Sequence, residues 1–234
     1  MTAMPRIVAA EFLDSPRLPA GELSESLRDL ERLNRWFGGT RAVLTELSRL
    51  VTSRAVRERV TVLDAGAGGA DIPRAIVRWA RRRKIRIEII ACDVHQQILA
   101  CAAESCRDFP EIRFVHGDVL ELPFAPGSFD LAICTLTAHH LSADEVTRLF
   151  RKLDATARRG FVISDLVRSR AAHAGVWLAT HLLSRNRLIR HDGPLSVRRS
   201  YTAGELNELA RAAGLGGLRF VRRPLFRLVG VLHK

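Results

Sequence analysis

Three aspartates stand at the ends of three successive apolar runs. Asp64 closes Val60–Leu63 and precedes Ala65-Gly66-Ala67-Gly68-Gly69; Asp93 closes Ile85–Cys92; Asp118 lies in Gly117-Asp118-Val119, after Ile112–His116. Glycines directly after a strand let a ligand come close to the backbone with no Cβ in the way. A carboxylate two residues before the first glycine repels a pyrophosphate and attracts a cation, such as an amino group. A carboxylate after the next strand can accept both hydroxyls of a ribose. Asp118 can accept from the exocyclic amine of adenine. Each acid alone fits a helix N-cap, and the glycines alone fit a plain tight turn. All three acids as caps, each at a strand end, is the weaker account. Together they point to a nucleoside-bearing ligand with a free amine.

Other reactive side chains are sparser. His139 and His140 follow the run ending in Cys134-Thr135, and Asp165 ends Ile163-Ser164-Asp165. His173, His181 and His191 are spaced too widely for a local metal site, and no HExxH occurs, so no metal centre is expected. Cys92, Cys101, Cys106 and Cys134 form no CxxC and read as reduced structural thiols. Tyr201 can close a pocket or simply pack. Trp36, Phe37 and Trp177 can line an apolar cavity, although aromatics in helices more often serve the core.

These residues must be held by alternating strands and helices. The β-branched run at 60–63, the run at 85–92 and the runs at 112–116, 128–135 and 160–164 read as five strands, with helical segments between them over 71–84, 95–107 and 143–157. That rhythm implies βαβ units and a mostly parallel sheet with right-handed crossovers. Ahead of it, helical spacing covers 22–50 with a break at Asn34–Gly39. After it come a helix over 170–187, a polar proline-containing link over 191–200, a helix from Thr202 to Gly214, and two final strands at about 217–222 and 224–232. The expected layout is an N-terminal helical cap over 1–55 and an α/β domain over 56–234, with a helical insert at about 168–200.

From Val60 to Gly214 the chain resembles the class I S-adenosylmethionine-dependent methyltransferases, in the small-molecule branch similar to ubiquinone/menaquinone methyltransferases. Leu63–Asp71 resembles the family's glycine motif, with Ala70 in place of the third glycine. Asp93, with Val94 beside it, resembles the ribose-binding acid. His116–Phe124 resembles the adenine-side motif, and Gly127–Leu131 the approach to the fourth strand. The resemblance implies a Rossmann-like seven-stranded, mostly parallel sheet with its last strand antiparallel. It implies that Gly66 and Gly68 approach the methionine part of S-adenosylmethionine and that Asp64 helps order it. It also implies that Val119 packs on adenine beside Asp118, and that Cys134 and Thr135 border the sulfonium. Similar methyltransferases often carry a His pair where His139 and His140 stand. Either one of them acts as general base or positions a hydroxyl, or one caps the next helix while the other packs. Asp165 lies near the expected acceptor site or caps a helix.

The segment 183–194 resembles, more weakly, methyltransferases encoded near polyketide synthases. It points to a phenolic or quinone-like acceptor in secondary metabolism. The expectation is methylation of a small, largely apolar hydroxylated aromatic, on oxygen before carbon. Trp36, Asp165, Trp177 and Tyr201 are the expected acceptor contacts. The alternatives are a nucleic-acid methyltransferase and a non-catalytic cofactor-binding partner subunit.

Composition bounds these readings. The chain has 234 residues, 47% hydrophobic and 26% charged, which fits one ordinary folded α/β unit. The formal charge is +12, carried by 34 Arg against 3 Lys. That skew reads as codon bias and a solvated basic surface before it reads as a nucleic-acid face. With 6% aromatics there are few stacking platforms for bases. After the fourth strand Cys134-Thr135-Leu136-Thr137 carries neither proline nor aromatic, unlike base-modifying enzymes. Asp64, and the lack of a Tyr-x-x-x-Lys pair, argue against a nicotinamide enzyme. No apolar run is long enough for a membrane span, and the first residues make a poor secretory signal, so a cytoplasmic protein is expected. The sequence leaves the oligomeric state open.

Overall fold

The computed structural model describes residues 4–15, 18–51, 59–121 and 123–234. The expected boundary at 55/56, and Leu122 of the adenine-side motif, lie outside the described residues. An N-terminal strap, with one 3-10 turn at Phe12–Asp14, leads into α1 (Ala20–Trp36) and α2 (Gly39–Val51). Then follow β1 (Val60–Ala65), α3 (Asp71–Arg82), β2 (Ile87–Asp93), α4 (Gln96–Ser105), β3 (Ile112–His116) and β4 (Phe129–Thr135). A 3-10 turn at Ala138–His140 precedes α5 (Ala143–Thr156) and β5 (Ala157–Leu166). The chain ends with α6 (Arg170–Leu183), α7 (Arg187–Arg199), α8 (Ala203–Ala212), β6 (Arg219–Arg223) and β7 (Arg227–His233).

The sheet order is β3-β2-β1-β4-β5-β7-β6. β1 to β5 pair in parallel, and β7 runs antiparallel to both β5 and β6. The expected seven-stranded sheet with an antiparallel last strand is therefore the one observed. The order reverses between β1 and β4, so the carboxyl ends of these strands open a crevice there, where open α/β sheets bind ligands.

β1 is buried along almost its whole length because helices cover both sides of it. One face packs Val43, Leu47 and Leu50 of α2 with Ile72, Ile76 and Val77 of α3 against Val62, Ile89 and Ile133. The other packs Val146, Leu149, Phe150 and Leu153 of α5 with Leu206 of α8 against Leu63, Ala132 and Phe161. α2 thus shares the main core of the sheet, whereas α1 reaches over the carboxyl ends of the strands.

Local chemistry explains where the elements start. Ser142 caps α5 and Thr202 caps α8, each reciprocated by a glutamate three residues on, Glu145 and Glu205. The break between α1 and α2 comes at Phe37-Gly38, where Gly38 takes φ +72°.

The expected polar link over 191–200 is instead part of α7, with Pro194 inside the helix. Proline removes one helical hydrogen bond, but packing outweighs it. A Cβ on Gly193 would meet Thr180 Cγ2 at 2.7 Å, so the glycine lets α7 lie close against α6. The tight connection expected at Pro224 is present. Leu225 and Phe226 both take positive φ there, +61° and +65°.

Candidate active site

A cavity of about 510 Å³ opens at the carboxyl ends of β1, β2 and β4, under α1, α6 and α7. That volume suits a small organic ligand. The glycine turn forms its floor. Gly66 takes φ +77°, and a Cβ there would collide with Thr137 Oγ1 at 2.3 Å, so glycine permits the close approach of the loop after β4. Gly68 takes φ +50°, and a Cβ there would meet nothing, so its open side faces the cavity. Ala70, where the motif usually has its third glycine, also sits in the left-handed region at φ +55°. For an L-residue that conformation costs roughly 1–2 kcal/mol.

Asp93 ties this turn to β2. Its Oδ2 accepts from the Gly68 N–H at 2.8 Å and its Oδ1 from the His95 N–H at 2.9 Å. Burial pushes its carboxyl up. The His95 side chain and these two amides outweigh burial and hold it below the usual range. Asp118 is exposed to the cavity and accepts the Leu120 N–H at 2.8 Å, beside buried Val119.

Asp64 lies beneath the turn rather than in the cavity wall. It is wholly buried, and neither carboxylate oxygen has a hydrogen-bond partner. Burial first, then the neighbouring Asp71 and Asp93, raise its pKa well above the ordinary value. Asp71 accepts from Asn34 Nδ2 at 2.8 Å, and Asn34 Oδ1 accepts from Arg227 Nη2 at 2.9 Å. Asn34, Asp71 and Arg227 all reach the cavity wall, and the sequence reading did not single them out.

The far end of the cavity is built on the 3-10 turn after β4. Leu136 enters it at φ +54°, a strained conformation for a branched residue. His139 is 3% exposed. Its Nδ1 is 2.7 Å from Asp165 Oδ1, and its backbone N–H donates to Asp165 Oδ2 at 3.1 Å. Against the upward push of burial, the neighbouring His139 ring and these bonds keep the Asp165 carboxyl below the usual range. His140 Nδ1 is 3.2 Å from Asp14 Oδ1.

Glu11, on the N-terminal strap, faces both imidazoles. Its carboxylate is 3.7 Å from His139 Nε2 and 3.9 Å from His140 Nε2. Burial pushes the Glu11 pKa up to about 7, against the lowering influence of His140, Ser196 and Arg199. The strap is held from several sides. Arg6 donates to the Arg199 and Leu141 carbonyls at 2.6 and 2.8 Å, and the Phe12 and Leu13 N–H groups donate to the Asp192 carboxylate at 2.9 Å each.

Of the residues expected from sequence, Gly66, Gly68, Asp93, Val94, Asp118, Val119, Thr135, His139 and His140 line the cavity. The others stand elsewhere. Cys134 points into the core with Leu63 and Ala132, on the opposite side of β4 from Thr135. Trp36 is 53% exposed and Trp177 is 48% exposed, stacked on His181. Their helices turn Leu33 and Phe37, and Val176 and Thr180, to the cavity instead. Tyr201 is buried behind the wall and donates to the Leu141 carbonyl at 2.8 Å, with Arg6 over its ring. Asp165 stands behind His139. Glu11 and Asp14 were missed because nothing local in the sequence relates them to His139 and His140.

Residues 62–160 match the family described as Methyltransferase domain. A curated relative, the ubiquinone/menaquinone biosynthesis C-methyltransferase UbiE of Rickettsia prowazekii, is 32% identical over 72 residues. The match covers 30% of this chain and 29% of that protein, so the chain spans under a third of its length. Among solved structures, an S-adenosylmethionine-dependent methyltransferase from Aquifex aeolicus aligns with TM-score 0.60 and 16% identity, over 92% of this chain and 98% of that one. Human N-acetylserotonin methyltransferase, in complex with S-adenosylmethionine, aligns with TM-score 0.62 and 18% identity, over 92% and 56%. Both likenesses bear on the fold.

Proposed function

We propose that this chain, whose residues 62–160 match the family described as Methyltransferase domain, is an S-adenosylmethionine-dependent methyltransferase of a small, largely apolar, hydroxylated aromatic. One observation carries the reading: a glycine turn open at Gly68 and latched by Asp93, with the unpartnered Asp64 carboxylate beneath it and Asp118 across it. The residues fit the cofactor. Asp71 and Asp93 line one end of the cavity with Asp64 buried beneath the turn, and the cationic end of a methionine-derived ligand relieves the crowding of these three acids. Asp93 keeps lone pairs for ribose hydroxyls, and Asp118 with Val119 offers a polar edge and an apolar face to a purine. When bound, the cofactor supplies an activated methyl group.

The chain's own work is alignment, desolvation and activation of the acceptor oxygen. Leu27, Leu30, Leu33 and Val176 give the acceptor side of the cavity an apolar lining. His139 and His140 activate the acceptor hydroxyl at the far end, with Asp165 fixing the first ring. Among the described residues no helix is long and apolar enough to cross a membrane. A carbon acceptor is the second reading, favoured by the curated relative, which is a C-methyltransferase. Transfer of a labelled methyl group to a phenol panel separates the two, since O-methylation removes the acidic proton and C-methylation keeps it.

Calorimetry with S-adenosylhomocysteine tests the core of the proposal. Binding is expected. Asp93→Ala weakens it by about 1–3 kcal/mol through lost charged hydrogen bonds. No binding at millimolar ligand overturns the proposal, and unchanged affinity in Asp93→Ala removes the ribose assignment.

A further inference from the structure

Two imidazoles and a carboxylate face one another at the far end of the cavity. An ionised carboxylate only accepts, so its contact with Asp165 puts the His139 proton on Nδ1. Asp14 Oδ1, 3.2 Å away, does the same for His140 Nδ1. Each Nε2 is left with a lone pair, and each lies opposite Glu11, at 3.7 and 3.9 Å. The three donor atoms lie within 4.8 Å of one another. Ser196 Oγ and Arg199 Nη1 address Glu11 Oε1 at 2.8 and 3.3 Å. Arg199 also meets Asp14, so one guanidinium serves both carboxylates while Asp165 lies behind His139. A cation among the three donor atoms would satisfy all of them at once.

We propose that Glu11, His139 and His140 hold a divalent transition-metal cation, such as Zn²⁺ or Co²⁺, at the acceptor end of the cavity. Two imidazole nitrogens and one carboxylate form a donor set suited to such ions. The carboxylates behind both rings are the outer partners that metal-bound histidines use to fix tautomer and raise basicity. A cation about 2.0–2.2 Å from each donor requires donor separations of roughly 3–3.5 Å, so the side chains draw in by about an ångström. No local ligand spacing announces the site, because Glu11 comes from the strap and the histidines from the turn after β4.

The catalytic use of this cation rests on the proposed function; the binding itself does not. A cation held there would take the acceptor hydroxyl as a further ligand. The O–H bond breaks, the electron pair stays on oxygen and the proton passes to water. The imidazoles then act as ligands to the cation rather than as the proton's destination.

Titration of the untagged, chelator-treated chain with Co²⁺, without cofactor or acceptor, tests the site by visible absorption. About one equivalent binds with an intense ligand-field band. Glu11→Gln and His140→Ala weaken binding at least about tenfold, and Asp165→Asn weakens it roughly 10–100-fold by releasing the His139 ring. S-adenosylhomocysteine binding is retained in all three variants, which reports that they fold. A chain that binds S-adenosylhomocysteine but shows no band, or whose Co²⁺ affinity is unchanged in Glu11→Gln, overturns the cation site. A band without S-adenosylhomocysteine binding leaves the site standing and overturns the proposed function instead.

Discussion

Asp64 is a carboxyl placed where it harms the empty protein. It is fully buried, lacks a partner and sits near two other acids, so its folded-state pKa lies above the unfolded value of 3.8. A raised acid binds its proton more tightly when folded. Its contribution to stability is therefore most favourable below the unfolded pKa and is lost as pH rises through the folded one. Asp64→Asn removes this loss. The ligand-free variant is expected to melt higher than the parent at neutral pH, with the difference shrinking towards pH 3.8, while its affinity for S-adenosylhomocysteine falls. Parallel melting curves across that range would show the carboxyl to be thermodynamically silent. At His139 the prediction concerns rate. His139→Ala is expected to lower turnover about 100-fold with cofactor affinity kept, and equal turnover would remove the ring from the chemistry. Asp93, Asp118 and the two histidines could be placed at the cavity from the sequence because each stands at the end of a strand or within a few residues of it. Glu11, Asn34 and Arg227 could not. Their partners are distant in the chain, and only folding brings the strap, the end of α1 and the start of β7 to one cavity.

At the scale of elements, helical phase decided what sequence reading placed wrongly. The aromatic types of Trp36 and Trp177 suggested a pocket wall, but each helix turns its neighbours inward. Trp177→Ala is accordingly expected to leave the acceptor KM within about twofold, as for a surface change. Val176→Phe, on the cavity face of the same helix, raises it. If the tryptophan variant alone disturbs KM, α6 is rotated from the position described. The strands were legible because apolar runs and turn residues alternate. α7 was not, because Gly193-Pro194 reads as a break until the packing against α6 is seen. α2 packs into the core of the sheet. Leu47, wholly buried among Val62, Ile76 and Ile133, should cost about 2–5 kcal/mol when cut to alanine, measured by denaturant unfolding.

For the whole molecule, a ligand bound by the native state alone raises stability by mass action. S-adenosylhomocysteine at a hundred times its dissociation constant contributes about 2.7 kcal/mol. For a chain of this size that corresponds to a rise in Tm of roughly 5–11 °C. A flat thermal-shift profile at that concentration would contradict binding to the folded state. The fold could be anticipated as a whole since three acids, a glycine turn and alternating strands all describe the same sheet edge. The seal over that edge could not. Residues 4–15 cross the acceptor end as an almost helix-free ribbon, pinned by Arg6 and by the amides that Asp192 holds. On the proposed function, a large acceptor would have to pass this ribbon, and displacing the ribbon would carry Glu11 off with it. If that function holds, entry and readiness for reaction would be opposed, and a protease that nicks the ribbon should find its target guarded for as long as an acceptor is inside.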